Sequence, residues 1–463
     1  MAKLGLVIGG VVIAGLAYLP VYEKNMINEE VQKVVNTLEN NGFSVEMTPC
    51  KGYLSSSREF TLKITDGVKA ANFILDEAGS SIPKKNRYLV DAIKKDIQTP
   101  MEQKNLNKTF NDTIFKGSIH HSNIGTSSID AEVNLIDAPF IKKGDDNFKE
   151  LCKNGKLGVN IHYKDNKAFS IDLKDITFAK KYTNISFSGF TVYAKKGTKH
   201  FMSFKNISYS YKSSYKTESL TLDNFSTNMS YQNEYNNKIN TKLGSIKYFK
   251  KTPYRDENID LENLSLTSYV KELSSISASF TTSVEKLHIF GGRKSSPSSN
   301  TKQDIVLVDN FKFKLDVKNI AKKPFKKFME LEQQMSKNPY LADPTMVEKV
   351  SLDIFHKGFN VYAKSSVNSV KFADAFNLHY PLNIDMNLDI NKNDIARIDL
   401  IQKYMSFKAN IKLDAKNTQS PSPMIGQPLY DMYLKKGEKV GSNLVYKIEF
   451  EQGGKPLLNG KPL

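Results

Sequence analysis

Hydrophobic and polar positions along this chain change rhythm twice. Residues 4–22 form an uncharged run of nineteen, which as a helix rises about 28 Å, close to the roughly 30 Å hydrocarbon core of a bilayer. Residues 25–41 then place Val31, Val34, Val35 and Leu38 at helical spacing, with Gly42 as the stop. From residue 43 alternation takes over. Segments 43–47 and 59–64 read as strands, with Gly52-Tyr53 and the serines at 55–57 as the turn between them. Two helical segments are expected between residues 68 and 103, broken at 79–83, and beyond 109 the chain reads as strand almost throughout.

Within residues 111–317, short alternating runs follow one another at 159–163, 169–173, 185–192 and 305–308. Many are introduced by an asparagine followed by a large apolar residue: Asn184-Ile185, Asn206-Ile207, Asn224-Phe225, Asn263-Leu264 and Asn310-Phe311. The intervals are 22, 18, 39 and 47 residues. This spacing predicts a degenerate, hairpin-length repeat of antiparallel strands with asparagine at the turns.

Further on, 291–300 reads as a flexible insertion. Residues 324–336 read as a helix with Phe325, Phe328 and Met329 on one side, flanked by Lys322, Lys323, Lys326 and Lys327. Such a helix either lies on an anionic membrane surface or packs its aromatics on a sheet. Alternation returns at 350–363 and 382–390, a short helix is expected at 428–434, and strands 443–450 and 455–458 close the chain around 451–454.

The fold class is therefore α+β, mainly antiparallel β: an elongated repeat-like meander with a few packed helices behind an N-terminal transmembrane helix. Its expected divisions are a membrane anchor at 1–24, a helical stalk with the first strands at 25–110, a repetitive β region at 111–318, and a helix insert with C-terminal β region at 319–463.

Charge sets the orientation. Lys3 and the amino terminus precede the apolar run and no acid does, so the N-terminus stays cytoplasmic and the remainder is exported; Tyr18 and Tyr22 stand at the outer interface. The competing reading is a signal peptide cleaved near Gly15-Leu16-Ala17. A mean hydropathy of -0.43 and the lack of a second long apolar run give one membrane pass and one large water-soluble ectodomain. The net charge of +17 favours anionic partners. In an exported protein these are anionic lipid or an envelope protein partner, not nucleic acid. Cys50 and Cys152 either form one disulfide in that oxidising compartment or remain two buried thiols.

No residue pattern argues for catalysis, a metal or a cofactor. The chain has no phosphate-binding loop and no nucleophile elbow, and the one adjacent histidine pair, His120-His121, points to opposite faces of a strand. Asp385, Asn387, Asp389 and Asn391 imitate the first ligands of a calcium loop, but Ile390 stands where glycine is needed and Ala396 where the bidentate glutamate belongs. A strand with one polar face accounts for them.

The N-terminal run, the segment Gly52-Tyr53-Leu54-Ser55-Ser56 leading into Phe60-Thr61-Leu62-Lys63-Ile64, and the terminal Leu457-Leu458-Asn459-Gly460-Lys461-Pro462-Leu463 after a strand containing Tyr446 together resemble the YdgA-like family, bacterial domain of unknown function 945. A helical insert around 325–350 falls where that family has one. His120-His121-Ser122 stands near the place of the family's His-Gly-Pro element, without its glycine and proline. The resemblance implies an inner-membrane-anchored envelope protein and supplies no catalytic residues.

The expected function is a non-enzymatic scaffold or interaction module anchored in the inner membrane. The alternatives are a lipid-binding or lipid-transfer β trough and a periplasmic glycan- or ester-hydrolysing enzyme. What separates the first two is whether the apolar strand faces leave an open groove or fill a closed core.

Overall fold

A computed structural model describes residues 27–49, 51, 55–80, 88–122, 128–139, 146–164, 168–195, 199–233, 235–293, 303–337, 344–372, 376–378, 381–418 and 436–462. The apolar run at 4–22, Cys50 and the helix expected at 428–434 lie outside these. Among the described residues no helix is long and apolar enough to cross a membrane. Two compact units form, Met1–Lys196 with His200–Lys205, and Gly197–Lys199 with Asn206–Leu463. Each is antiparallel sheet with a few helices.

In the first unit α1 (Ile27–Asn40) leads into β1 (Phe43–Met47) through Gly42, whose φ of 88° and close approach to the Asp66 carbonyl exclude any other residue. β2 (Ser55–Ile64) is followed by α2 (Gly67–Ser80), α3 (Tyr88–Ile97) and α4 (Pro100–Phe110). Then come β3 (Ile114–Ser122), β4 (Ser128–Asp137), α5 (Asp146–Lys153), β5 (Gly158–Lys164), β6 (Ala168–Leu173), the hairpin β7 (Ile176–Lys180) and β8 (Thr183–Ser188), and β9 (Phe190–Lys195). Neighbours run β1-β2-β3-β4-β5-β6-β9, all antiparallel. One face of this sheet is covered: Leu62, Ile64, Phe115 and Leu135 pack on Phe73 and Ile74 of α2, Phe110 of α4, and Leu151 and Cys152 of α5.

Several expectations are corrected here. Serines 55–57 are not a turn but the first residues of β2, paired with Ser122, His121 and His120. A third helix, α4, starts where Thr99 caps it through the Glu102 N–H and Pro100 takes the first turn. The run at 185–192 is two strands, because Gly189 turns the chain at φ 65° and gives its N–H to Asp175.

In the second unit, β10 (Lys199–Lys212), whose residues His200–Lys205 belong to the first unit, is followed by five long strands: β11 (Thr217–Asn233), β12 (Asn236–Lys251), β13 (Arg255–Glu272), β14 (Ile276–Arg293) and β15 (Gln303–Ile320). They pair in chain order. Helices α6 (Lys322–Lys337) and α7 (Pro344–Phe355) intervene before β16 (Phe359–Val367) and β17 (Ser369–Phe372), which pair with successive halves of β15. Beyond them follow β18 (Phe376–Leu378), β19 (Leu382–Ile390), β20 (Met405–Asp414), β21 (Glu438–Val440), β22 (Asn443–Phe450), β23 (Leu457–Leu458) and β24 (Lys461–Pro462), with β16-β19-β20-β22 as consecutive neighbours. The alternation expected at 350–363 is helix as far as Phe355: Val347, Val350 and Ile354 keep helical spacing, and Gly358 at φ 70° separates α7 from β16.

Of the five asparagines, Asn184 stands at the start of β8, whereas the other four lie inside strands. Asn224, Asn263 and Asn310 sit in the middle of β11, β13 and β15 with φ of 55°, 52° and 51°. A left-handed residue inside a strand adds one position to the alternation and shifts its phase. Gly244 opposes Asn263, Glu285 opposes Asn310, and Asn368 interrupts β16 and β17. Registers on either side of this line remain matched, so every strand slips at the same place. Each 16- to 18-residue strand therefore looks in sequence like two short ones. The 39- and 47-residue intervals are whole hairpins.

Candidate functional site

The consequence of this line is one face that carries apolar rows on both sides of it. On one side of it Leu222, Ile246, Leu261, Leu287, Val308 and Val370 stand in one transverse row. The next row is Leu220, Tyr248, Ile259, Ile289, Val306 and Phe372. Across the line the phase has changed: Leu243 lies beside Leu264 and Val284 beside Phe311, the next row sets Thr227, Thr241 and Thr282 among Leu266 and Phe313, and Met229, Ile239, Phe280 and Leu315 stand with Ser268 in a further row. Val308 and Phe311 pack into the same cluster, with Val367, Leu413 and Tyr446, which places both segments of β15 on one side of the sheet.

This face is filled only toward β16–β22, where that cluster lies. Over β11–β14 its side chains are half-buried at best, and Met229 and Phe280 are exposed. Between residues 206 and 320 the buried hydrophobics among the described residues are Ile276 and Ile320, both at the strand ends next to α6. An antiparallel sheet ordinarily packs one face on a core, yet here rows of leucine and isoleucine retain access to solvent.

The reverse face is polar, and its carboxylates are hydrogen-bonded by their neighbours. Its central row is Asp223, Ser245, Glu262, Lys286, Asp309 and Ser369. Ser245 and Asn206 donate to Asp223 at 2.9 and 2.6 Å, and Ser369 donates to Asp309 at 2.5 Å. Lys286 lies 3.3 Å from Asp260 and 3.6 Å from Glu262, and the hydrogen bond to Asp260, with that carboxylate's charge, raises the pKa of the ammonium. The Asn263 amide donates to Glu285. Charges on this face are thus held by neighbours, whereas the apolar face lacks an equivalent cover.

Residues singled out in the sequence fall as follows. Lys322 and Lys326 of α6 reach Glu272 at 3.4 and 3.2 Å, and Lys326 also stands 4.5 Å over the Tyr235 ring. Bonds from Lys326 and Lys322 hold the Glu272 carboxyl below its usual range. Lys323 and Lys327 remain exposed. Cys152 is a free thiol, 1% exposed, and burial with the nearby Asp137 charge pushes its pKa up to about 11. Asp385, Asn387 and Asp389 belong to β19 and bond across or along the sheet: Asp385 accepts from Tyr362 at 3.1 Å, and Asp389 accepts from Asn387 at 2.6 Å and from Asn360.

The first unit brings together one arrangement that the sequence reading did not assemble. Ser57, His120, Asp130, His162 and Ser170 form a transverse row on the polar face of its sheet. His162 bonds Asp130 at 2.6 Å and lies 3.7 Å from Asp172. Ser170 makes no hydrogen bond with His162, so the row contains no base-activated hydroxyl at that position. Among the described residues no cluster of His, Cys, Asp and Glu is arranged to hold a metal ion.

Comparison of the chain with protein-family models, curated proteins and solved structures gives no match in any of the three.

Proposed function

We propose that this chain is a non-enzymatic, inner-membrane-anchored envelope protein whose second unit holds lipid acyl chains on the apolar face of β11–β15. The observation that carries the reading is that aliphatic rows, kept on one face by the slip through Asn224, Asn263 and Asn310, stay only partly buried where a core would bury them fully. Five strands about 4.8 Å apart give this face about 19 Å of width, comparable with the roughly 15 Å depth of chains in one bilayer leaflet. Covering aliphatic surface stabilises by about 25 cal/mol per Å², and an acyl chain supplies cover without needing polar partners. The uncharged run at 4–22 would keep the unit beside a source of such chains, and the resemblance to the YdgA-like family agrees with an envelope location.

Photocrosslinking from the full chain in its own membrane tests this. A benzoylphenylalanine at Leu261, on the apolar face, is expected to capture phospholipid, and the same probe at Asp260, on the reverse face, is not. Capture of protein from Leu261 with no lipid would sink the lipid reading in favour of a scaffold.

A further inference from the structure

We propose that the end of the β10–β15 sheet formed by the turns at Ser213–Lys216 and Thr252–Arg255 is a docking edge for an anionic membrane surface. Both turns sit at the same end of the sheet, because Thr217 at the start of β11 pairs with Lys251 at the end of β12. They share one design. In Ser213-Ser214-Tyr215-Lys216 and Thr252-Pro253-Tyr254-Arg255, a hydroxyl residue opens, tyrosine takes the third position and a base closes. Each is pinned between its first and last residues. The Ser213 N–H donates to the Lys216 carbonyl at 2.8 Å and the Thr252 N–H to the Arg255 carbonyl at 2.8 Å.

Turns are ordinarily built from Gly, Pro, Asn, Asp or Ser, as at Ser213, Ser214 and Pro253, but not at the tyrosine that follows. Here each presents a large ring to solvent: Tyr215 is 78% and Tyr254 65% exposed. A tyrosine with an apolar body and a polar tip is suited to the headgroup region of a bilayer. Around the rings stand Lys212, Lys216, Lys250, Lys251 and Arg255. Glu218 pairs with Lys216 at 2.6 Å, and Glu257 pairs with Arg255 and lies 3.7 Å from Lys250. Lys212 and Lys251 are exposed and form no ion pair among the described residues. Two rings at matched positions with unneutralised lysines beside them fit a surface of phosphate headgroups, where each lysine adds to attraction. The opposite end differs, since there α6 places Lys322 and Lys326 on Glu272. This docking does not depend on acyl chains occupying the apolar face.

The experiment uses the full chain reconstituted in vesicles of phosphatidylcholine, with or without phosphatidylglycerol. An environment-sensitive dye is attached at Tyr254→Cys or Tyr215→Cys, with Leu273→Cys at the other end as control, all in a Cys50→Ser background. Spin-labelled headgroup lipid is expected to quench the dye at 254 and 215 in the anionic vesicles, and not at 273. High salt is expected to reverse the quenching. Lys212→Gln and Lys251→Gln are each expected to weaken the quenched state about fivefold. Equal quenching at 254 and 273, or a dye at 254 and 215 left accessible to aqueous iodide in both vesicles, would overturn the proposal. Lipid capture at Leu261 in the same preparation reports separately on the apolar face.

Discussion

Val308 and Phe311 point to the same side of β15 although an ordinary strand would place residues three apart on opposite sides; both enter the cluster around Val367 and Leu413, and Asn310 between them has φ 51°. The left-handed residue is what reconciles the two. Asn310→Gly is expected to be nearly neutral, whereas Asn310→Val costs about 1–2 kcal/mol because a β-branched side chain resists this conformation. Urea unfolding of the two variants decides it. Equal midpoints for Gly and Val would mean the conformation contributes nothing.

The apolar face and the filled core are expected to respond differently to truncation. Leu135 is 1% exposed, so Leu135→Ala should cost about 2–5 kcal/mol through lost packing and a cavity. Leu261, half-buried in the open rows, should lose about 1 kcal/mol. Similar losses at both sites would show that a second layer covers β13.

A cationic pin joins α5 to its sheet. Lys174 donates to Glu132, to Asn134 at 2.8 Å and to the Gly155 carbonyl at 3.0 Å. The Lys174 bond, then that of Asn134, lowers the Glu132 pKa below 4.5. A depressed carboxyl contributes stability above its unfolded pKa and loses it as pH falls, so this contribution fades below about pH 4.5. Lys174→Met is expected to cost about 1 kcal/mol at neutral pH and to flatten the acid side of the stability profile. An unchanged acid limb would contradict the assignment.

The Cys152 thiol, by contrast, acts on the alkaline side. Its pKa rises from 9.0 to about 11, so the folded state keeps a proton that the unfolded state gives up. That contribution is complete below pH 9 and disappears as pH climbs toward 11. Cys152→Ala should remove this part of the alkaline decline, measured by thermal unfolding across pH. In the native protein iodoacetamide should leave Cys152 unmodified until the chain is unfolded; rapid native alkylation would show that α5 opens readily.

Much of the fold was legible as local pattern. The helix at Ile27–Asn40 and the strands Phe43–Met47, Leu382–Ile390 and Asn443–Phe450 lie within a residue or two of where periodicity put them. Strand length in β11–β15 was hidden by the phase slip, because a run broken at Asn263 looks like a turn when the partner strand is unseen. Helix α7 was hidden by its apolar residues at adjacent positions, Ile354-Phe355, which blur a helical period into a strand-like run. The open face was legible only in half: alternation announces an apolar side, but whether anything covers it is decided by distant segments. The row of Ser57, His120, Asp130 and His162 left no signal, since four strands contribute its members.

Because every long strand slips at the same height, the sheet is built from interchangeable two-strand modules. A hairpin such as Arg255–Arg293 carries its own slip at Asn263 and Glu285 and offers its neighbours the edges they already match. Width is therefore a free variable of this architecture: duplicating or excising one hairpin widens or narrows the sheet by about 10 Å while leaving the registers of its neighbours intact. The sheet can be rescaled without redesigning any single strand.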